Sequence, residues 1–426
     1  MNEEKPDPAG AGSRRAALRL LDAVLRRGQP LEAAMDAATQ ELERADDRAF
    51  AHAMAAETLR RLPDLDALID SATQKKLPHD AKARFVLRLA LVQALALGTP
   101  PHAAIATILP LVDGGPRKLV HGVFGTLMRG EAKLPDLPAL PPSVAARWRG
   151  NWGLNVNEAA RALIAAPPPM DLALADPAAT AEWAERLGGS SLAPGHVRIP
   201  RVASVAELPG YAEGAWWVQD IAASLPARLL GQGDGRTVFD LCAAPGGKTL
   251  RLAAAGWQVT ALDLSENRLV RLGENLARIG LSAETIVADI MTWEPTDVAD
   301  AVLLDAPCSA TGIFRRHPDV LHRVRDRAIA ELATQQQAML LRAADWVKPG
   351  GSLVYAVCSL EPREGEAVAD AFLEARADYA LSAADPAELP EGIPPDSVGR
   401  VRVLPGMLAE AGGADGFFVA RFIRKP

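Results

Sequence analysis

The sequence predicts an α/β fold: a largely parallel, doubly wound sheet in the C-terminal half, preceded by an all-α domain and a small α+β subdomain. Three observations carry this reading. From residue 216 onward, short apolar runs alternate with amphipathic segments at the spacing of βαβ units. Residues 13–133 are rich in Ala and Leu, with helical periodicity and no strand-like alternation. Three apolar runs end in loops that each carry a cysteine, Cys242, Cys308 and Cys358, which is where parallel strands deliver side chains to the carboxyl edge of a sheet.

Residues 1–12 are polar and rich in Pro and Gly, the composition of a disordered tail. Ser13 is then a plausible N-cap and Gly28 a stop for a first helix, in which Ala17, Leu18, Leu21, Val24 and Leu25 share one face. Further helices are expected at 31–43, 47–61, 64–73, 81–96, 101–112 and 116–129. The stretch 134–142 holds four prolines and reads as a linker. A subdomain at 143–215 begins with a helical segment at 143–165, is broken by Pro167, Pro168 and Pro169, and carries short apolar stretches at 171–175 and 196–199.

In the last region, 216–426, strands are expected at 237–242, 258–263, 284–288, 300–305, 352–357 and 416–423. Helices fall between them at 218–231, 247–255, 266–279, 327–347 and 363–376. No internal repeat is evident.

Composition narrows the function classes. A chain of 426 residues is too long for one core, and its hydrophobic fraction of 49% is ordinary for a globular protein. No run of about 18 apolar residues and no leader pattern is found, so the expectation is a cytoplasmic protein without a membrane partner. Three cysteines at 242, 308 and 358 offer neither a disulfide framework nor a CxxC pair, and the seven histidines form no ligand pattern, so no metal is expected. A net charge of −7 argues against coating nucleic acid by bulk charge and leaves local patches to decide such binding.

Chemistry is concentrated in the strand-end loops. In Cys242-Ala243-Ala244-Pro245-Gly246-Gly247-Lys248, two glycines remove side chains where a strand hands over to a helix. A phosphate loop of the Walker type needs glycine at position 242, where Cys242 stands, and no GxGxxG fingerprint is present. Acids end the next two strands, Asp263 and Asp289, and a carboxylate at the second strand tip suits a ribose diol. A nucleoside without phosphates fits this pattern, and S-adenosylmethionine is the common one. The competing reading is a tight turn at Gly246 and Gly247 and an N-cap or solvated loop acid at Asp289.

Four phrases then become specific. DLCAAPGGKT (240–249), ALDLSENRL (261–269), LLDAPCSATGIFRRHPD (303–319) and LVYAVCSLEPREGE (353–366) resemble, in order and spacing, the motifs of RNA 5-methylcytosine methyltransferases of the RsmB/NOP family. The resemblance covers about 143–426, and the helical region before it resembles a NusB domain, as in the bacterial branch that acts on small-subunit (16S) ribosomal RNA. It implies a Rossmann-like, class I S-adenosylmethionine-dependent sheet, with Cys242 to Lys248, Asp263, Arg268, Asp289 and Asp305 about the cofactor. It also implies catalytic roles. Cys358 matches the nucleophile that adds to carbon 6 of cytosine and turns carbon 5 into an enamine-like centre. Asp305 would hydrogen-bond the ring at N3 and the exocyclic amine, Lys248 would hold Asp305 in order, and Cys308 would help the final elimination. An unpaired cysteine at a strand end is otherwise more often a small buried hydrophobe. One departure is the stretch 171–175, which lacks an arginine often seen after the family's Pro-Pro segment.

An extruded base needs a basic approach, and Arg315, Arg316 and His317, with Arg323, Arg325 and Arg327, follow directly on the Cys308 phrase as candidates for RNA phosphates. A second basic group comprises Arg14, Arg15, Arg26, Arg27, Lys75 and Lys76. Both have solvated helix faces as the bland alternative. The rivals for function are a cytosine methyltransferase acting on transfer or large-subunit RNA, and a NusB-like RNA-binding adaptor without activity. A monomer is favoured, with nothing in the sequence to fix the oligomeric state.

Overall fold

The computed structural model describes residues 10–202 and 204–426. They divide into two compact units, one of residues 10–150, 160–166 and 316–324 and one of 151–159, 167–315 and 325–426.

The first unit is helical: α1 (Ala11–Leu25), α2 (Met35–Thr39), α3 (Ala45–Arg60), α4 (Leu62–Ser71), α5 (Lys82–Leu95), α6 (Pro101–Ile108) and α7 (Gly114–Arg129). Its core gathers Leu20, Leu21 and Val24 of α1, Met54 and Leu59 of α3, and Phe85, Leu89 and Val92 of α5. Helix α5 is buried on nearly every side, including Arg84 and Arg88. Those two cations are tolerated because Arg88 Nε and Nη2 meet both oxygens of Asp66 at 2.8 and 2.9 Å and Arg84 bonds Asp66 and Asp70. Burial alone would raise the Asp66 carboxyl, but the bonds from Arg88 and Arg84 outweigh it and hold it low. The first helix starts earlier than expected, with Gly10 at its N-cap, so Ala11 and Gly12 of the expected tail are helical and residues 1–9 lie outside the described residues. Ser13 is inside that helix and spends its hydroxyl on Asp47, 2.9 Å away, instead of capping. The excursion 316–324 belongs to this unit, and His322 Nε2 lies 2.7 Å from the Leu59 carbonyl.

Helices α8 (Pro142–Trp152) and α9 (Leu154–Ala165) run across the division of the chain between the units. In the second unit, β1 (Met170–Leu174), β2 (His196–Ile199) and β3 (Trp216–Val218) form an antiparallel sheet of order β2-β1-β3, with α10 (Thr180–Arg186) between β1 and β2 in sequence. The expected helix at 218–231 is shorter, α11 (Ile221–Arg228), because residues 216–218 pair with β1.

The main sheet contains β4 (Thr237–Leu241), β5 (Gln258–Asp263), β6 (Glu284–Val287), β7 (Ala299–Asp305), β8 (Val347–Val357), β9 (Tyr379–Leu381), β10 (Val401–Val403) and β11 (Phe417–Arg424). Its order is β10-β11-β8-β7-β4-β5-β6, with β9 also on β11. Strands β4 to β8 are mutually parallel, and β9, β10 and β11 add an antiparallel edge. The three-residue β9 and β10 went unread because such short segments carry too little periodicity. Along β7, Ala301 and Leu303 enter one core layer while Val302 and Leu304 enter the other, which is why these strands read as continuous apolar runs. The chain winds from β4 out to β6 and then returns to β7 on the other side of β4. The crevice at the carboxyl ends of β4 and β7 is therefore the topological switch point, where such folds bind ligands.

Candidate active site

Strand register fixes which side chains meet at that crevice. Leu241 pairs with Leu304, and Asp305 with Ala356, so the loops after β4, β7 and β8 leave the sheet side by side. Lys248 lies in the first turn of α12 (Gly247–Ala254) and gives Nζ to Asp305 Oδ2 at 2.6 Å, 5.3 Å from the Phe417 ring centroid. Burial would lower this ammonium, yet the charge and hydrogen bond of Asp305 and the charge of Asp240 reverse the direction and keep it protonated.

Cys308 and Cys358, fifty residues apart, bring their sulfurs to 3.5 Å, both half-buried. The hydrogen bond to Cys358, burial, and the charges of Cys358, Glu364 and Asp305 together push the Cys308 thiol well above its ordinary value. A buried group beneath them was missed by sequence reasoning. Glu364 Oε1 accepts from Ser309 N–H at 2.8 Å and Gln336 Nε2 at 3.0 Å, while Oε2 accepts from the hydroxyls of Ser309 and, at 2.6 Å, Ser359. Asp240 was missed as well. It is fully buried in β4, takes the Thr249 hydroxyl on Oδ2 at 2.6 Å, and leaves Oδ1 without a hydrogen-bond partner among the described residues. The available signal was a lone acid inside the apolar run Val238-Phe239-Asp240-Leu241.

The turn after β4 holds Cys242 at φ 62°, the buried Ala243 and Ala244, and a cis Ala244–Pro245 bond. Burial first, then the charges of Asp305, Asp263 and Asp240, push the Cys242 thiol up to about 12, which makes it inert. Gly246 has φ 106°, and a Cβ there would fall 2.2 Å from Leu272 Cδ1, so the room it leaves is filled by the chain's own helix α13 (Glu266–Ile279). Gly247 faces the Gln219 side-chain amide. Asp263 accepts from Ala244 N–H at 3.1 Å and Ser265 N–H at 2.9 Å, and Arg268 reaches both Asp263, at 3.5 Å, and the Ala244 carbonyl. Asp289 is exposed and accepts from Met291 N–H at 2.8 Å. Leu264 stands directly after Asp263 and Met291 two residues after Asp289, apolar yet 72% and 40% exposed, uncovered hydrophobic surface of the sort a planar ring would cover.

The basic candidates differ in burial and in their partners. Arg315 is fully buried, with Nε on Asp415 at 2.6 Å, Nη1 on the Gly412 carbonyl at 2.9 Å and Nη2 on Asp220 at 2.5 Å. It is a structural tie and cannot grip a phosphate, which corrects the sequence expectation. Arg316 and His317 are half-buried and belong to the helical unit. Arg325 and Arg327 are exposed, Arg327 pairing with Glu331 at 2.7 Å. In the helical unit Arg26 and Arg27 share Asp22, at 2.7 and 2.9 Å, and Arg14 bonds Gln93, so that second basic group is largely spoken for.

A model of the family described as 16S rRNA methyltransferase RsmB/F matches residues 227–423, and a NusB family model matches residues 11–125. Ribosomal RNA small subunit methyltransferase B of Salmonella arizonae is 36% identical over 445 residues, covering 97% of this chain and 98% of that protein. The protein of the same name from Klebsiella pneumoniae subsp. pneumoniae is 34% identical over 442 residues, with 97% and 98% coverage. The chain belongs to the RsmB/F family. As a member it is an S-adenosylmethionine-dependent RNA methyltransferase with a NusB domain. The fold likeness extends to NSun6 from Pyrococcus horikoshii, solved with SFG, at TM-score 0.58 and 18% identity over 68% of this chain and 99% of that one. Among the described residues of this RsmB/F member, no helix is long and apolar enough to cross a membrane.

Proposed function

We propose that this enzyme methylates carbon 5 of a cytosine in small-subunit (16S) ribosomal RNA through a transient bond between Cys358 and carbon 6. The observation that carries the reading is the pair of thiols 3.5 Å apart beside the Lys248–Asp305 ion pair, at the switch point of the sheet. Cys358 as thiolate adds to carbon 6, and Asp305, oriented by Lys248, hydrogen-bonds the N3 and amine edge that gains electron density. S-adenosylmethionine, when bound, supplies the electrophilic methyl group. Carbon 5 then gives its proton to solvent water, the carbon–sulfur bond breaks with its electron pair returning to Cys358, and Cys308 assists that elimination by hydrogen-bonding the departing sulfur.

Residues of the chain fit the donor. Asp263 and Asp289 suit its ribose, with Arg268 beside Asp263, Leu264 and Met291 offer apolar surface to the adenine, and the unpartnered Asp240 Oδ1 suits its ammonium. The turn 242–248 lines the same place. Cytosine as the base is supported by the two cysteine phrases, and the small subunit by the names of the full-length relatives. Residues 13–133 and 143–215 are proposed to bind that RNA in the cytoplasm.

Cys358→Ala is expected to abolish methyl transfer to 16S RNA, by at least 10³-fold on the scale of a lost nucleophile. Cys308→Ser should instead accumulate a protein–RNA adduct that survives a denaturing gel. Continued methylation by Cys358→Ala would sink the covalent reading.

A further inference from the structure

Two thiols this close cannot ionise independently, because a second negative charge at 3.5 Å is strongly disfavoured. Their surroundings differ. Glu364 is completely buried and takes four hydrogen bonds, two of them from Ser309, the residue after Cys308, and one from Ser359, the residue after Cys358. Gln336 joins the same network, donating to the Pro307 carbonyl at 2.8 Å as well as to Glu364, and Tyr355 OH donates to the Glu364 carbonyl at 2.5 Å. Thr311 extends the link, accepting from Leu360 N–H at 3.0 Å, and Gly312 N–H donates to the Cys358 carbonyl at 3.0 Å. One carboxylate therefore joins the loop after β7 to the loop after β8.

We propose that Glu364 is a positioning residue that sets the facing geometry of the two thiols and confines their shared proton to Cys308, leaving Cys358 to act as the thiolate. This rests on the covalent reading above and adds to it the reason why the two cysteines are not interchangeable. The titratable groups acting on Cys308 are Cys358, Glu364 and Asp305, with Tyr355 close by. All are neutral or negative, and Glu364 acts through the neighbouring Ser309. Two cations face the pair: Lys248, coupled to Cys358 and to Asp305, and the buried Arg402, whose Nη1 donates to the carbonyl of Ser359, the residue after Cys358, at 2.5 Å. Glu364 takes two bonds from Ser309, beside Cys308, and one from Ser359, beside Cys358, so its negative charge bears more on the Cys308 loop, and with Lys248 coupled to Cys358 this favours the distribution S–H on Cys308 and S⁻ on Cys358. The upward push on the Cys308 thiol agrees with that arrangement.

The test is iodoacetamide alkylation of the full-length enzyme from pH 6 to 10, read at each cysteine by mass spectrometry, beside turnover of 16S RNA transcribed in vitro. In the native enzyme Cys358 should label at least tenfold faster than Cys308 at pH 8. Glu364→Gln keeps the volume of the side chain and removes its charge. It should raise Cys308 labelling at pH 8 about tenfold, move the alkaline limb of the kcat profile to lower pH, and lower kcat at least tenfold with KM for RNA changed less than threefold. Glu364→Asp, which restores the charge, should return Cys308 labelling toward native. Faster labelling of Cys308 than Cys358 in the native enzyme would overturn the proposal without any variant, should Glu364→Gln fail to fold. So would unchanged Cys308 labelling in a folded Glu364→Gln. Loss of the covalent mechanism itself would appear elsewhere, as residual methylation by Cys358→Ala.

Discussion

Asp240 shows what a single buried group does to the molecule. It lies in the middle of β4, and burial, only partly offset by the Thr249 hydroxyl and the Lys248 charge, raises its carboxyl to about 7. Its ordinary value is 3.8. Between those two values the native chain holds a proton that the unfolded chain has released, so stability falls as pH rises through that window. A shift of about three units corresponds to about 4 kcal/mol. Asp240→Asn should remove that part of the pH dependence, seen in urea titrations at pH 4.5 and pH 7.5 as a smaller difference than in the parent chain. An unchanged difference would show that Asp240 is ionised in the native state. The four roles proposed for Cys358, Cys308, Asp305 and Lys248 were legible as residues because each stands inside a specific phrase at a strand end. Asp240 and Glu364 stand inside the same phrases but were not singled out, since an acid becomes noteworthy only once its burial and partners are known.

At the scale of elements, Arg315 is the instructive case. Sequence reading grouped it with Arg316 and His317 because they are adjacent in an arginine-rich loop. Its partners are Asp220, just before α11, and Asp415, just before β11, about a hundred residues away on either side. No local pattern reveals such a triad. Arg315→Ala leaves two buried carboxylates without their cation and should cost about 3–5 kcal/mol in urea unfolding, while the salt dependence of RNA binding stays as it was. A weakened salt dependence with intact stability would restore Arg315 to the RNA. The parallel strands, by contrast, were readable to within a residue or two at most ends, because burial on both faces leaves long apolar runs. The start of β8 was not, since it runs on through Gly350 and Gly351 from Val347.

For the whole molecule, a net charge of −7 leaves RNA affinity to local cations. Arg325 and Arg327 are exposed on the sheet unit at the start of the helix Asp326–Ala344. If each meets a phosphate of a single-stranded segment, replacing either by Ala should weaken binding and reduce the slope of log affinity against log salt by about 0.7. Filter binding from 50 to 300 mM salt reads this directly, and a slope indifferent to both changes would place the contact elsewhere. The division of the chain was partly visible as a change from helical periodicity to strand–helix alternation. The excursion 316–324 was not, for it lies in the middle of the sheet half of the sequence and packs with the helical unit.

The amino-acid order alone determined the α/β class, the parallel strands and the loops from which chemistry emerges, because hydrophobic period and turn residues act over a few positions. Tertiary structure alone decided that two sulfurs fifty residues apart face one another, that a glutamate lies under them, and that one arginine is a tie between distant acids. Burial and charge pairing are properties of neighbours in space, and a chain does not write its neighbours down next to each other.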